Sequence, residues 1–343
     1  MDAPLSHAVR RLADGCSLTQ EETAAAFGVI MRGEAPGSLI AALLMGLRTK
    51  GEAPEELAGA ATALREAMVR VRPGPGSAVV DTCGTGGGAI STFNLSTAAG
   101  FVTAAAGTRV AKHGNRSFTS RCGSADVLEA LGVDIGLGAD RAAERLDAIG
   151  MVFLFAPNYH PAMRHVGQTR KELGITTIMN LLGPLANPAG VTRQVIGVAD
   201  RDRAPLLANA LVRLGAEHAL VVHGEVGMDE ISPAGHTAVW EVQDGRVVTW
   251  RLDPAEYRLE WKELGDLAGG DPADNARRIE QLLMPGKGGK SGDEPGRRAV
   301  LLNAAAALYV SGRGLTFKDA VDMASHALAE GRARALLDRM RGR

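Results

Sequence analysis

One stretch constrains this chain more than any other. It runs Val79-Val80-Asp81-Thr-Cys-Gly84-Thr-Gly-Gly87-Gly88-Ala-Ile-Ser-Thr92-Phe-Asn94-Leu95-Ser96-Thr97. Ala78-Val79-Val80 reads as the end of a buried strand. Four glycines among residues 84–88 let the backbone turn tightly and approach a ligand, because no Cβ blocks positive φ. Asn94 then stands as a helix N-cap before the small-residue helix 95–106. The free N–H groups of that first turn, with the hydroxyls of Thr92, Ser96 and Thr97, make a receptor for a phosphate or diphosphate. A second polar stretch, Lys112-His113-Gly-Asn115-Arg116-Ser117-Phe-Thr119-Ser120, follows the short apolar run Arg109-Val110-Ala111. Two anion-binding loops, each leaving a strand, point to a doubly phosphorylated substrate.

Two familiar phosphate motifs do not explain these loops. Gly84-x-Gly86-x-x-Ala89 satisfies the dinucleotide fingerprint, but that site also needs an acid about 20 residues on to hold a ribose hydroxyl. The region 104–109 carries none. Gly289-Lys290-Ser291 imitates the end of a P-loop, yet position 284, where the first glycine belongs, is Met. The run 284–296 reads as a mobile surface loop.

Composition removes other classes. The 38 basic and 39 acidic residues nearly cancel, and the chain has only seven Phe, three Trp and three Tyr. A general nucleic-acid binder needs basic surface and stacking aromatics, so no nucleic-acid partner is expected. No apolar run approaches the roughly 18 residues of a membrane span, and Met-Asp-Ala-Pro-Leu is not a signal peptide. Cys16, Cys83 and Cys122 are odd in number and lack CxxC spacing, which suits a reduced cytoplasm without structural zinc. Cys83 and Cys122 flank the phosphate loops as small filler, with a reactive thiol as the alternative.

The pattern along the chain is α/β. Residues 1–72 are helical: Thr19-x-x-Glu22 is a capping box opening a helix through Met31. Pro36 and Ser38 begin the next, with Leu39, Ile40, Leu43, Leu44 and Leu47 at helical spacing. Pro54-Glu55-Glu56 opens a third, expected to run to about Val71. This part is too apolar to stand alone. Arg72-Pro-Gly-Pro-Gly-Ser77 is a hinge-like linker. Strands at 79–81, 109–111, 151–155, 194–199 and 219–223 then alternate with helices at 95–106, 124–131, 161–173 and 203–214. That alternation predicts a mostly parallel sheet with ligand loops at the strands' carboxyl ends. Residues 237–250, turning at Asp244-Gly245, read as a hairpin. Helices near 272–284, 298–311 and 317–340 finish the chain. The expected architecture is a large, mostly parallel-sheet lobe with flanking helices plus a small all-α lobe.

Taken together, Gly-Thr-Gly-Gly, Thr92-Phe-Asn94-Leu-Ser96-Thr97 and Lys112-His-Gly-Asn-Arg116 resemble the anthranilate phosphoribosyltransferases of tryptophan synthesis. Further matches are Ser124-Ala-Asp-Val-Leu-Glu-Ala-Leu-Gly132, Phe155-Ala-Pro-Asn-Tyr-His160-Pro-Ala-Met, Arg170-Lys-Glu-Leu-Gly-Ile, Asn180-Leu-Leu-Gly-Pro-Leu-Ala-Asn-Pro188 and Gly227-Met-Asp229-Glu230-Ile-Ser232. The likeness covers essentially the whole chain. It implies a helical lobe of 1–72 joined by about 165–190, which also forms a homodimer. It implies a phosphoribosyl diphosphate lobe built from 77–164 and 191–343.

It implies two substrates, anthranilate and 5-phosphoribosyl 1-diphosphate (PRPP). Gly84, Gly87, Gly88, Thr92, Asn94, Leu95, Ser96 and Thr97 would hold the diphosphate and its metal. Lys112, Asn115, Arg116, Ser117, Thr119, Ser120 and Ser124 would hold the 5-phosphate and ribose. Ser96, Asp229 and Glu230 would bind Mg²⁺, two ions per site, since Mg²⁺ favours hard oxygen ligands beside substrate phosphates. Arg170 is the candidate for the anthranilate carboxylate, which a guanidinium fork matches in two hydrogen bonds. His113 and Asn115 would border the aromatic ring, and Gly84 leaves room for it. Outside this context Asp229-Glu230 is more commonly a solvated turn, and Arg170 an ordinary surface charge. His160 suits either a polar pocket wall or simple packing, and His165 packs. An aromatic amine is already nucleophilic near neutral pH, so no Ser/His/Asp or Cys/His set is expected.

One departure stands out. The family usually reads Gly-Thr-Gly-Gly-Asp-Gly where this chain has Gly84-Thr-Gly-Gly-Gly88-Ala89. The loop is expected to be less negative, with an altered metal response. Arg121-Cys122, where Lys-Ser is more usual, is a milder change. A pyrimidine-type nucleoside phosphorylase is the nearest competing enzyme, but Arg170 and the acid pair have no task in phosphorolysis. A catalytically silent nucleic-acid binder would carry a basic groove, against the net charge of −1.

Overall fold

Apolar residues at helical spacing close the start of the chain into α1 (Ala3–Ala13), α2 (Gln20–Met31), α3 (Gly37–Lys50) and α4 (Pro54–Ala67). The computed structural model describes residues 3–117, 121–285 and 292–342. Thr19 caps α2 reciprocally: its Oγ1 accepts from Glu22 N–H at 3.1 Å, and its own N–H donates to Glu22 Oε2 at 2.8 Å. Glu56 is fully buried at the start of α4. Its carboxylate accepts from Leu18 N–H (2.9 Å), Ala53 N–H (2.8 Å) and Lys50 Nζ (3.0 Å), which ties three segments together. Helix α4 stops four residues before the expected Val71. The chain turns extended there because Val69 N–H donates to Tyr159 O (2.8 Å) and Val71 N–H to Pro188 O (2.9 Å).

Seven strands follow, β1 (Val79–Gly84), β2 (Arg109–Gly114), β3 (Met151–Phe155), β4 (Arg193–Gly197), β5 (His218–Gly224), β6 (Thr237–Gln243) and β7 (Arg246–Leu252). They form one sheet in the order β3-β2-β1-β4-β5-β6-β7. The first five are parallel, and β6 and β7 add an antiparallel edge. The hairpin turns at Asp244 (φ 51°) and Gly245 (φ 70°), the two positive angles of a tight hairpin. Between strands run α5 (Leu95–Ala105), α6 (Ser124–Ala130), α7 (Ala139–Ile149), α8 (Ala156–Tyr159), α9 (Arg164–Leu173) and α10 (Ala204–Arg213). The chain ends in α11 (Pro272–Leu283), α12 (Glu294–Tyr309), α13 (Phe317–Ala329) and α14 (Arg332–Met340). The fold is thus a mixed, mostly parallel sheet flanked by helices, with a helical bundle before it.

Two main cores cover the sheet. One joins Val80, Val110 and Leu220 to α5 and α11–α14. The other joins Ile196, Val221 and Val242 to α1–α4, α9 and α10. Helix α5 lies between the sheet and α12, with Leu95, Ala98, Ala99, Phe101 and Val102 fully buried. Truncating Phe101 to Ala would cost about 3–5 kcal/mol.

Several expectations are corrected. Strand β2 extends through Gly114, so Lys112 and His113 are strand residues paired with Phe153 and Leu154 rather than loop residues. Helix α7 was not expected. The region 165–190 is helical only in α9, followed by short 3₁₀ turns at Ile178–Asn180 and Gly183–Leu185. The last helix divides at Gly331 (φ 72°), which places α14 at a new angle. Within the surface run 284–296, residues 286–291 lie outside the described residues.

Candidate active site

The strand order reverses at β1 and β4, whose connections leave in opposite directions, and such a switch point opens a crevice at the strand ends. Gly84 and Gly197 pair at that end. A Cβ on Gly197 would stand 1.8 Å from the Asp229 carbonyl oxygen, so only glycine lets the Asp229-Glu230 main chain cross the end of β4. Asn303 fixes that crossing from α12. Its Oδ1 accepts from Ile231 N–H and its Nδ2 donates to Ile231 O, both at 3.0 Å. On the other side, Thr85 N–H donates to Gly197 O (2.9 Å), and Gly86 and Gly87 take φ of 68° and 82° to turn the loop outward.

The start of α5 differs from a simple capped helix. Asn94 occupies the N-cap position but makes no capping hydrogen bond. Its Nδ2 donates to Cys122 O (3.1 Å) and its Oδ1 accepts from Asn275 Nδ2 (3.0 Å). Leu95 is fully buried, and its N–H donates to Phe93 O (2.6 Å). The N–H of Ser96 donates to Glu230 Oε1 at 3.3 Å. Thr97 is fully buried, and its hydroxyl has no hydrogen-bond partner among the described residues. Thr92 bridges to Ala268 across the outside of the loop.

Lys112 gathers these parts. From β2 its buried Nζ donates to the Thr82 carbonyl and to Ser96 Oγ (3.1 Å). It therefore sits beneath the first loop, not out in the second. Burial lowers its pKa, and the nearby Asp81, Cys83 and Glu230 oppose that shift. Glu230 is pushed up to about 8, first by burial and next by its neighbour Asp229, with Lys112 pulling the other way. Asp229 is also raised by burial. Two adjacent half-buried carboxylates invite a cation, and their hard oxygens, Glu230's beside Ser96, fit Mg²⁺. Among the described residues no cluster of three His, Cys, Asp or Glu side chains forms a metal cage. Such a pair would share its ion with substrate oxygens and water.

The second loop is held by α6. Arg116 is paired with Glu129 (2.6 Å) and Asp126 (2.9 Å), whose hydrogen bonds raise its pKa. Asn115 Oδ1 accepts from Arg116 N–H (2.8 Å), Ser124 Oγ donates to Asn115 O (3.3 Å), and Ser117 N–H donates to Asp126 Oδ2 (3.2 Å). Thr119 and Ser120 lie outside the described residues.

Between β2 and the turn at 183–185 stand two buried imidazoles. His113 Nδ1–H donates to Gly183 O at 3.2 Å, so its Nε2 is an acceptor, and His160 Nε2 lies 3.2 Å from it. Burial lowers His113 to about 3, with His160 adding to the effect, and lowers His160 to about 4. Both rings are neutral near pH 7. Arg170, on α9, is half-buried, and burial lowers its pKa. Among the described residues no carboxylate or carbonyl pairs with its guanidinium. The Asp229-Glu230 turn is half-buried rather than fully solvated, and His165 packs against Gly33 beside the helical bundle.

Sequence reasoning missed Asp81 and Asn187. Fully buried Asp81 accepts from His113 N–H (3.1 Å) and from Asn187 Nδ2 (2.7 Å), which also donates to Ala111 O (2.8 Å). An acid in a strand that is otherwise apolar was the available signal. Gly197, at a strand end, was another.

Residues 76–334 match the a/b domain of a glycosyl transferase family, and residues 6–68 match the helical bundle domain of a glycosyl transferase family. A Streptomyces coelicolor protein named anthranilate phosphoribosyltransferase 2 is 50% identical over 322 residues, 94% of each chain. This chain belongs to the anthranilate phosphoribosyltransferase family. A Methanosarcina acetivorans member is 46% identical over 97% of this chain and 88% of its own. The Thermus thermophilus family structure superposes with a TM-score of 0.90 at 43% identity, covering 98% of both chains. The Saccharomyces cerevisiae enzyme, solved in complex with PRPP and Mg, gives 0.88 at 29% identity over 99% of this chain and 97% of its own. Among the described residues no helix is long and apolar enough to cross a membrane.

Proposed function

We propose that this protein transfers the 5-phosphoribosyl group from PRPP to the amine of anthranilate, giving N-(5-phosphoribosyl)anthranilate and diphosphate in tryptophan biosynthesis. The observation that carries this reading is the meeting point at Ser96. Lys112 reaches its hydroxyl from β2, and Glu230 takes its N–H from the far side of β4. One loop, one cation and one acid pair are thereby focused on a single anion-binding helix start.

In this account residues 84–97 hold the diphosphate, and Asn115, Arg116, Ser117, Thr119, Ser120 and Ser124 hold the 5-phosphate and ribose. Lys112 adds positive charge beneath the leaving group. Ser96, Asp229 and Glu230 would hold Mg²⁺, two ions per site, which when bound would supply positive charge against the diphosphate. Arg170 receives the anthranilate carboxylate in a bidentate pair, while Asn115 and neutral His113 border the ring and Gly84 leaves it room. The amine attacks C1 of the ribose, the C1–O bond to diphosphate breaks, and the nitrogen releases a proton to solvent. Most of the rate comes from positioning and charge placement.

The working unit is a helical lobe of 1–72 with about 165–190, closing on an α/β lobe of 77–164 and 191–343. Two copies associate through the helical lobe, where Met45 of α3 is 36% exposed, and the enzyme works in the cytoplasm. Diphosphate release tests the reaction. Equimolar diphosphate should appear with anthranilate present, and none with benzoate, which lacks the amine. Equal release with both would overturn acceptor transfer.

A further inference from the structure

Asn275 lies on α11, remote in sequence from either phosphate loop, and only 3% of it is exposed. Its carboxamide is committed at both ends. Oδ1 accepts from Gly270 N–H at 2.8 Å, which leaves Nδ2 to donate to Asn94 Oδ1 at 3.0 Å. Asn94 Nδ2 then donates to the Cys122 carbonyl at 3.1 Å. A backbone donor at one end and a backbone acceptor at the other allow the two amides a single orientation. The relay joins the start of α5 to the residues that close the second loop.

The surrounding segment is built to the same end. Phe93 N–H donates to Leu267 O (3.0 Å), and Gly269 N–H donates to Ser91 O (3.3 Å). A Cβ on Gly269 would stand 2.6 Å from Thr92 O. Arg278 lies over the Phe93 ring at 4.1 Å while donating to Asp266 O (2.6 Å) and Ala268 O (3.0 Å). The relay also explains why Asn94 does not cap its own helix: both ends of its side chain are already engaged.

We propose that Asn275 is a positioning residue for the doubly phosphorylated substrate, setting through Asn94 the spacing between the diphosphate loop and the 5-phosphate loop. The inference rests on the function proposed above. A substrate gripped at both ends responds to the separation of its two grips, whereas an acceptor anchored by its carboxylate at Arg170 on α9 responds much less. Loss of the relay should therefore weaken PRPP selectively.

The test uses Asn275→Ala and Asn275→Asp in the full-length enzyme, with PRPP affinity by calorimetry, KM for each substrate, and melting temperature. The Asp variant keeps the acceptor for Gly270 and nearly the same shape, but it cannot donate to Asn94. Both variants should bind PRPP about tenfold more weakly, with anthranilate KM within about twofold. Adding Asn94→Ala to Asn275→Ala should cost little beyond Asn94→Ala alone, because the relay is then broken once in either case. Unchanged PRPP affinity in Asn275→Asp overturns the proposal, as does an equal loss for both substrates. If Asn275→Ala fails to fold, Asn275→Asp decides. A wild type that binds PRPP yet leaves anthranilate unchanged defeats the proposed reaction, while the affinity comparison still judges Asn275.

Discussion

Gly88 faces Asp229 so closely that a Cβ at position 88 would stand 2.8 Å from Asp229 Oδ1. The position where the family usually carries Asp therefore adjoins the acid pair directly. Gly88→Asp would set a third carboxylate against Asp229, whose side chain can shift to admit it. The added charge should lower the Mg²⁺ concentration giving half-maximal rate by about three- to tenfold, an effect of about 1 kcal/mol for a partly solvated ion. A Mg²⁺ titration of both forms checks this, and superimposable curves would remove the idea.

The raised pKa of Glu230 couples metal binding to pH. A carboxylic acid pushed up to about 8 holds its proton at neutral pH, and Mg²⁺ must displace that proton to bind. Apparent Mg²⁺ affinity should rise by roughly tenfold per pH unit below pH 8 and level off above it. In Glu230→Gln the slope should vanish and affinity should be weak throughout. The same shift acts on stability in the metal-free protein. A folded pKa above the unfolded one favours folding below about pH 4.5, and that contribution is lost as pH rises through 8.

The paired imidazoles act in the opposite sense. His113 and His160 are lowered to about 3 and about 4, so between roughly pH 6.5 and pH 4 the unfolded chain binds more protons than the folded one. Their contribution is present above pH 6.5 and falls as pH drops, by up to about 1.4 kcal/mol per pH unit for each ring. Denaturant midpoints from pH 7 to pH 4.5 should fall more steeply in the wild type than in His160→Asn. Parallel slopes would show that the rings are not buried as a neutral pair.

Much of this site was legible in the sequence because its signals are local. The strand, the glycine turn and the helix of residues 79–105 follow one another directly, and the capping box at Thr19 lies within four residues. What escaped depends on distant partners. Lys112 and His113 looked like loop residues, and only pairing with β3 and the reach of Nζ to Ser96 make them buried strand residues. Asn94 has the chemistry of a cap, but Asn275, 181 positions away, claims its side chain. Helix α4 ends early because of carbonyls at Tyr159 and Pro188, which no local pattern could announce. Gly197 is required by the backbone of Asp229, another contact across the fold.

Arg170 bears most directly on the central claim, since a half-buried guanidinium without an ionic partner among the described residues is suited to an incoming carboxylate. The decisive measurement is the loss of anthranilate fluorescence on adding PRPP and Mg²⁺, with the wild type beside Arg170→Ala. The account predicts that the wild-type signal falls and that the variant needs about 10- to 100-fold more anthranilate, the loss of one charged hydrogen-bonded pair, at an unchanged KM for PRPP. Anthranilate left untouched by the wild type across a broad Mg²⁺ range would contradict it, as would a variant with the wild-type anthranilate KM.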